Sequence, residues 1–263
     1  MKKLFLFAGL CLVVFIVFAH EYILLAAKYR LQKDDMMELH LFVSDGFNIQ
    51  LERPFQKNIT RAFELITKDK ITDLQLTESA LPVCNRKVDF EGGGLIHLER
   101  DYARISLATA KFLEYLKEDH IDKIADKVDV KKGEQKERYT RYLKCLVQSG
   151  NSFDDTVYKK ITGQSFEIVL LQNPYLLHKG DKLSVKIIFM GKPLINKFIT
   201  ARNRTGNENA LAINARTNEK GICTFALVRK GEWFIHATHI IACPDKKDSD
   251  WESFWASYSF GME

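Results

Sequence analysis

The turn signals in the C-terminal part of the chain recur about every ten residues, and this spacing restricts the possible folds more than any other feature. Short strands joined by closely spaced turns are typical of a β-sandwich. Residues 166–263 are therefore predicted to form a C-terminal sandwich. Its strands are predicted at 166–171, 182–189, 198–202, 211–217, 222–227, 233–239 and 255–260.

The N-terminal part has β character that a helical pattern interrupts. Residues 112–128 and 134–149 carry apolar side chains at helical spacing, and Gly150-Asn151 is a typical helix end. We predict an Ig-like β-sandwich over 20–165 with a helical insert at about 109–150. Its strands are predicted at 20–31, 38–43, 61–67, 74–77, 95–100 and 104–107.

The first residues have the features of a secretory signal peptide. Lys2 and Lys3 precede an apolar run over 4–18, and Val17-Phe18-Ala19 fits a signal peptidase site before His20. The run is shorter than the roughly twenty residues that span a bilayer. Residues 1–19 are thus predicted to be removed, which leaves a periplasmic or secreted protein without a membrane span.

Charge and motifs exclude several classes of function. The formal net charge is +5, and no basic run has interleaved aromatic residues, so nucleic acid is not an expected partner. The chain has no GxSxG, HExxH, Walker A or GxGxxG motif. We therefore expect a protein without catalytic activity.

Four cysteines follow the predicted signal peptide, namely Cys84, Cys145, Cys223 and Cys243. An even number in an oxidising compartment predicts at least partial disulfide bonding. Buried free thiols are the alternative, because Cys145 and Cys223 lie in apolar patterns. No CxxC or CxxH spacing indicates a zinc site.

Cleavage before His20 would create the strongest candidate metal site. The free α-amine and the imidazole Nδ1 of one terminal histidine can chelate one ion, and such nitrogen donors suit copper, nickel and zinc. Glu21 and His239 are the candidates for further ligands. His236, three residues before His239, is expected on the opposite strand face. The alternative is that His20 is a frayed terminus and His239 a buried structural residue.

Two other pairs are candidate ligand contacts. Trp251 and Trp255 share one strand face and can stack on sugars, although a role in the core is the commoner use of tryptophan. Arg141 and Lys144 are expected on one face of the predicted helix, where they can bind an anion or simply remain solvated.

The C-terminal part resembles transthyretin-like and carboxypeptidase-regulatory-like β-sandwiches. The matching segments are GKPLINKFITA, from Gly191, and TNEKGICTFALVRKGEWFIHATH, from Thr217. Gly191, Gly221 and Gly231 are expected to adopt positive φ at its turns. The resemblance implies a fold but no activity.

Segments along the whole mature chain also resemble the bacterial exported family of unknown function DUF4198, formerly labelled a NikM-like nickel-uptake component. They are HEYILLAAKYRL, LFVSDGF, ATAKFLEYLKEDHID, ERYTRYLKCLVQ, HATHI and DWESFWASYSF. His239 fits the family pattern, whereas Tyr22-Ile23 replaces its usual Phe-Trp pair.

The family label implies a binding or accessory protein for uptake of a transition metal (nickel, cobalt or copper), with a metal ion or a membrane transporter as partner. A carbohydrate- or protein-binding adhesion module is the second hypothesis. A copper-dependent enzyme with an N-terminal histidine site is the third.

Overall fold

The computed structural model describes residues 21–75, 77–206 and 208–263, most of which form β-strands. The predicted fold class, mainly β with sandwich-like layers, is confirmed. None of the helices in these ranges is long and apolar enough to cross a membrane.

The N-terminal half supplies strands to two sheets. Its strands are β1 (Glu21–Ala26), β2 (Arg30–Leu31), β3 (Met36–Asp45), β4 (Asn48–Arg53), β5 (Thr60–Ile66), β6 (Ile71–Asp73), β7 (Cys84–Lys87), β8 (Gly92–Ala108) and β9 (Glu134–Ser149). Strand β3 pairs with β1, β4 and β7 to form a four-stranded sheet. The strand expected at 74–77 is displaced toward the N-terminus, to β6.

The C-terminal half forms a second four-stranded sheet and completes a larger one. Its strands are β10 (Phe166–Leu170), β11 (Lys182–Phe189), β12 (Lys192–Pro193), β13 (Phe198–Arg204), β14 (Leu211–Arg216), β15 (Ile222–Ala226), β16 (Gly231–Ala242) and β17 (Trp251–Met262). Strand β11 pairs with β10, β12 and β15.

The remaining strands form a nine-stranded sheet that contains strands of both halves. The order is β14-β13-β16-β17-β9-β8-β5-β6, with β2 paired to β9. On β16, His236 meets Glu21 of β1, whereas His239 meets Phe166 and Phe189 of the β10–β11 sheet. The two smaller sheets therefore pack on opposite faces of the large one.

The helix predicted over 134–149 is wrong, because this segment is strand β9. It lies in the middle of the large sheet, antiparallel to β8 and parallel to β17. Its second half is buried on both faces, so apolar residues fill consecutive positions and the alternation of a half-buried strand disappears. Leu143 and Leu146, three residues apart, match helical spacing by coincidence and lie on opposite faces.

Helical structure in the insert is limited to two short elements, α1 (Thr109–Glu118) and α2 (Asp122–Ala125). The predicted helical insert at about 109–150 therefore ends well before β9. Helix α1 packs its apolar face, with Phe112 and Leu116, against Trp251 and Trp255 of β17. This contact attaches the insert to the large sheet.

The three turn glycines adopt positive φ as predicted, with values of 75° at Gly191, 71° at Gly221 and 103° at Gly231. At Gly231 a Cβ atom would lie 2.3 Å from the carbonyl oxygen of Arg204. No larger residue fits there without a backbone shift.

The predicted disulfides are absent, since all four described cysteines are free and buried. Cys84 and Cys145 lie in different sheets, and Cys223 lies in the β11 sheet, where its paired neighbour is Val185. Cys243 donates its thiol to the carbonyl of Asp245 at 3.2 Å. Burial raises the pKa of Cys145 and Cys223 to about 12, so these thiols remain protonated.

Candidate functional site

Strand β1 lies across the large sheet at β17. The hydroxyl of Ser257 donates to the carbonyl of Tyr22 at 3.2 Å, and Ser259 donates to the carbonyl of Leu24. Serine side chains at alternate positions of β17 are small enough to let β1 approach, and they satisfy its carbonyls. The beginning of β1, at Glu21, is thereby held near β16.

Glu21 contacts the imidazole of His236, with Oε1 3.1 Å from Nδ1. The two side chains are only 13% and 7% exposed, and Nη2 of Arg202 lies 3.9 Å from the same carboxylate oxygen. Burial lowers the pKa of His236 to about 4, although Asp119 opposes the shift, so the imidazole is uncharged at neutral pH. Burial also raises the pKa of Glu21 to about 7, against the effect of Arg202.

The contact with Glu21 decides which imidazole nitrogen keeps a free lone pair. When Glu21 is ionised, Nδ1–H of His236 donates to its carboxylate, and Nε2 becomes the acceptor. That Nε2 atom is buried and has no hydrogen-bond partner. A carboxylate that orients histidine in this way is common where the other nitrogen binds a metal ion.

Three more buried polar atoms without partners belong to the same place, namely Glu21 Oε2, Asp119 Oδ2 and Thr238 Oγ1. Asp119 follows the end of α1, and its pKa is raised by burial and lowered in turn by His236 and Thr238. These four residues form the β1 polar cluster. Because buried polar atoms without partners cost free energy, such a group indicates a place for a ligand or for water.

Trp255 closes one side of the β1 polar cluster. Its ring centroid lies 5.7 Å from that of His236 and 5.6 Å from that of Tyr115, on which it stacks. Trp251 stacks on Phe112 at 5.7 Å. Trp255 is 7% exposed and Trp251 is 6% exposed, and the N–H group of each indole donates to a buried side chain. The two tryptophans therefore pack α1 onto the sheet and offer no exposed surface for a sugar.

His239, a predicted ligand, faces away from β1. Its ring centroid lies 4.4 Å from that of Phe189 and 5.9 Å from that of Phe166, and burial lowers its pKa to about 4. The predicted alternation of His236 and His239 is confirmed, but the structure brings His236 to Glu21. Sequence reasoning missed His236 because no local signal shows which face of β16 receives β1.

Arg141 and Lys144 do not share a face, because both lie on strand β9 and are three residues apart. The guanidinium of Arg141 lies 3.9 Å from the ring centroid of Tyr22. Lys144 is buried on the other side, with Nζ 2.6 Å from Glu167 Oε1. The prediction of a shared basic face failed because it assumed a helix.

His20 lies outside the described residues, as does the predicted signal peptide. Within 21–263, apart from positions 76 and 207, no group of three or more His, Cys, Asp or Glu side chains is arranged to hold a metal ion. The β1 polar cluster therefore needs donors from elsewhere to complete a metal site. His20 is joined to Glu21 by one peptide bond.

Glu137 is a second buried carboxyl close to Asp119, and Ser253 donates a hydrogen bond to it. It is 3% exposed, and burial raises its pKa from 4.5 to about 7. Because the pKa of Glu137 is higher in the folded state, the protonated carboxyl contributes to stability. This contribution is fully present below the unfolded-state pKa and is lost as the pH rises through about 7.

We expect the unmodified protein to lose stability between pH 5 and pH 8 as Glu137 ionises, whereas Glu137→Gln cannot ionise. The unfolding free energy of Glu137→Gln, relative to that of the unmodified protein, should therefore be about 2–3 kcal/mol higher at pH 8 than at pH 5. Urea unfolding at both pH values measures this difference. Glu134→Gln, at an exposed position of the same strand, is the control and should show no such change. A pH-independent difference for Glu137→Gln would contradict the buried, protonated carboxyl.

Comparison with curated proteins gave no match. Among solved structures, the "D0-D1 domain of Intimin" is 13% identical, with 91% of this chain and 97% of that chain covered and a TM-score of 0.22. A TM-score this low supports no argument about fold or function. Residues 17–241 match the family model described as "Domain of unknown function (DUF4198)". Since that match spans most of the sequence and agrees with the resemblance of its segments, the chain belongs to the DUF4198 family.

Proposed function

We propose that the chain is an exported, non-catalytic protein that binds a transition-metal ion at the start of its mature form. The observation that supports this best is the state of His236. Its Nε2 is buried and unpartnered, while Nδ1 is oriented by Glu21. Neutral imidazole in this arrangement is a strong ligand for copper, nickel and zinc.

Cleavage before His20 would supply the remaining donors. The new α-amine and the His20 imidazole would lie one residue from Glu21 and could chelate an ion that His236 Nε2 also binds. Glu21 would keep its hydrogen bond with Nδ1, on the side of the ring away from Nε2, and would orient the imidazole from there. The donor set of three nitrogens fits a transition metal better than calcium or magnesium, which prefer oxygen ligands.

A site at the start of a chain suits capture and transfer of a metal ion. Terminal ligands can exchange with those of a partner, for example a membrane transporter, and the former nickel-uptake label of the family agrees with this role. The adhesion hypothesis is less well supported, because Trp251 and Trp255 are buried beneath α1. We therefore favour an accessory role in metal uptake.

We expect His236→Ala to weaken binding of copper(II) or nickel(II) at least tenfold, since loss of even an outer-shell partner costs about 10- to 100-fold. Calorimetric titration of protein that begins at His20 measures the affinity. His239→Ala is the matched control, because it lies on the same strand but faces the aromatic side chains of the β10–β11 sheet.

Thermal unfolding of both variants separates loss of ligand from loss of fold. A folded His236→Ala protein with unchanged affinity would exclude His236 as a ligand. Loss of affinity only in His239→Ala would instead support the site predicted from sequence.

A further inference from the structure

A cleft of about 400 Å³ lies between the segment that joins α1 to α2 and the turn that leads into β13. Part of its wall is apolar and includes Ile121, Leu194 and Ile240. This volume exceeds what one inorganic ion fills and lies in the range of sites for small organic molecules. Glu21 and His236 are not part of its lining, so the cleft is distinct from the proposed metal site, although Lys197 lies close enough to Asp119 and His236 to affect their pKa values.

The charged groups of the cleft are mainly basic. Lys123, Lys127, Lys197 and Arg216 line it, with Asp122 as the acidic residue among the lining groups. Basic groups that converge on a concave surface raise the local concentration of anions. The balance of charge therefore favours a negatively charged ligand.

Lys197 is the least usual of these residues, because it is only 8% exposed. No hydrogen bond or ion pair to its ammonium group is formed within the described part of the chain, and Asp119 acts on it only at longer range. Burial, with a smaller contribution from Arg216, lowers the pKa of Lys197 to about 8, against the effect of Asp119. A buried ammonium without a partner costs free energy, which a bound anion would recover.

Arg216 is held beside Lys197 by contacts with neighbouring residues. Its guanidinium lies 5.4 Å from the ring centroid of Phe198, and Nη1 donates to the carbonyl of Asn196 at 3.2 Å. The ring of His120 covers Phe198 at 3.9 Å between centroids. Because guanidinium has five N–H donors, Arg216 keeps donors for a ligand after this contact.

We propose that this cleft binds a small organic anion, with its carboxylate or phosphate at Lys197 and Arg216. The apolar body of the ligand lies against Ile121 and Ile240. An oxyanion accepts hydrogen bonds from both basic groups, and charge-assisted bonds of this kind are strong.

Calorimetric titration with phenyl phosphate, benzoate and inorganic phosphate tests this site. We expect saturable binding of phenyl phosphate or benzoate with one site per chain, and at least tenfold weaker binding in Lys197→Met. Lys192→Met is the matched control, because Lys192 is exposed on β12 and outside the cleft. Arg216→Gln, which retains Lys197, should also weaken binding.

The tighter of the two aromatic ligands identifies the preferred head group, and either result supports the site. Absence of saturable binding, or equal affinity in Lys197→Met, would overturn it. Inorganic phosphate that binds as tightly as phenyl phosphate would overturn the apolar part of the recognition. His236→Ala should retain anion binding, so failure here is distinguishable from failure of the metal site.

Discussion

Replacing Glu167 by alanine is expected to lower the free energy of unfolding by about 3–5 kcal/mol, because it leaves a buried ammonium without its counter-charge. Lys144 and Glu167 are each 1% exposed, with Nζ 2.6 Å from Oε1. After the change, the hydrogen bonds left to the Lys144 ammonium among the described residues would be those to the carbonyls of Lys160 and Ile168, at 3.3 and 3.2 Å. Burial already lowers the pKa of Lys144 to about 8 despite Glu167.

Urea unfolding followed by circular dichroism measures this loss. The double variant Lys144→Met/Glu167→Leu removes both charges and should recover most of the stability. Glu114→Ala, which breaks an exposed pair with Lys111, should cost less than about 1 kcal/mol. A loss below about 1 kcal/mol for Glu167→Ala would contradict the buried ion pair.

Trp255→Ala is expected to cost about 3–5 kcal/mol, since it opens a cavity between the sheet and α1. The indole packs on Tyr115 and lies beside His236, so its loss should also loosen the wall of the β1 polar cluster. Trp255→Phe preserves part of the stack and should lose less stability.

Chemical unfolding of the unmodified protein and of the two Trp255 variants provides the measurement. Ile195→Ala, at a 58% exposed position, is the control. The control should change stability by no more than about 0.5 kcal/mol. An unchanged stability of Trp255→Ala, together with loss of binding to an oligosaccharide, would instead support the adhesion hypothesis.

The sequence predicted the C-terminal half well because its structural signals are local. Strand β11 coincides with the predicted range 182–189, and Gly191, Gly221 and Gly231 have the expected backbone conformation. Half-buried strands keep their alternation and their turn residues, and both are visible in a short window.

The errors concern features that depend on distant parts of the chain. Strand β9 is read as a helix because burial on both faces removes its alternation. The wrong prediction that Arg141 and Lys144 share one face follows from that error. The choice between His236 and His239 depends on which face of β16 receives β1. The contact that decides it joins Glu21 to His236, 215 positions apart, so no local sequence signal shows it.

Copper(II) affinity in two forms of the chain tests the proposed metal site most directly. One form begins at His20 with a free α-amine, and the other carries an acetyl group on that amine. Acetylation converts the α-amine into an amide nitrogen and removes the chelate ring, so we expect affinity to fall at least tenfold. Equal affinity in the two forms would show that the terminal amine is not a ligand and would contradict the proposed site.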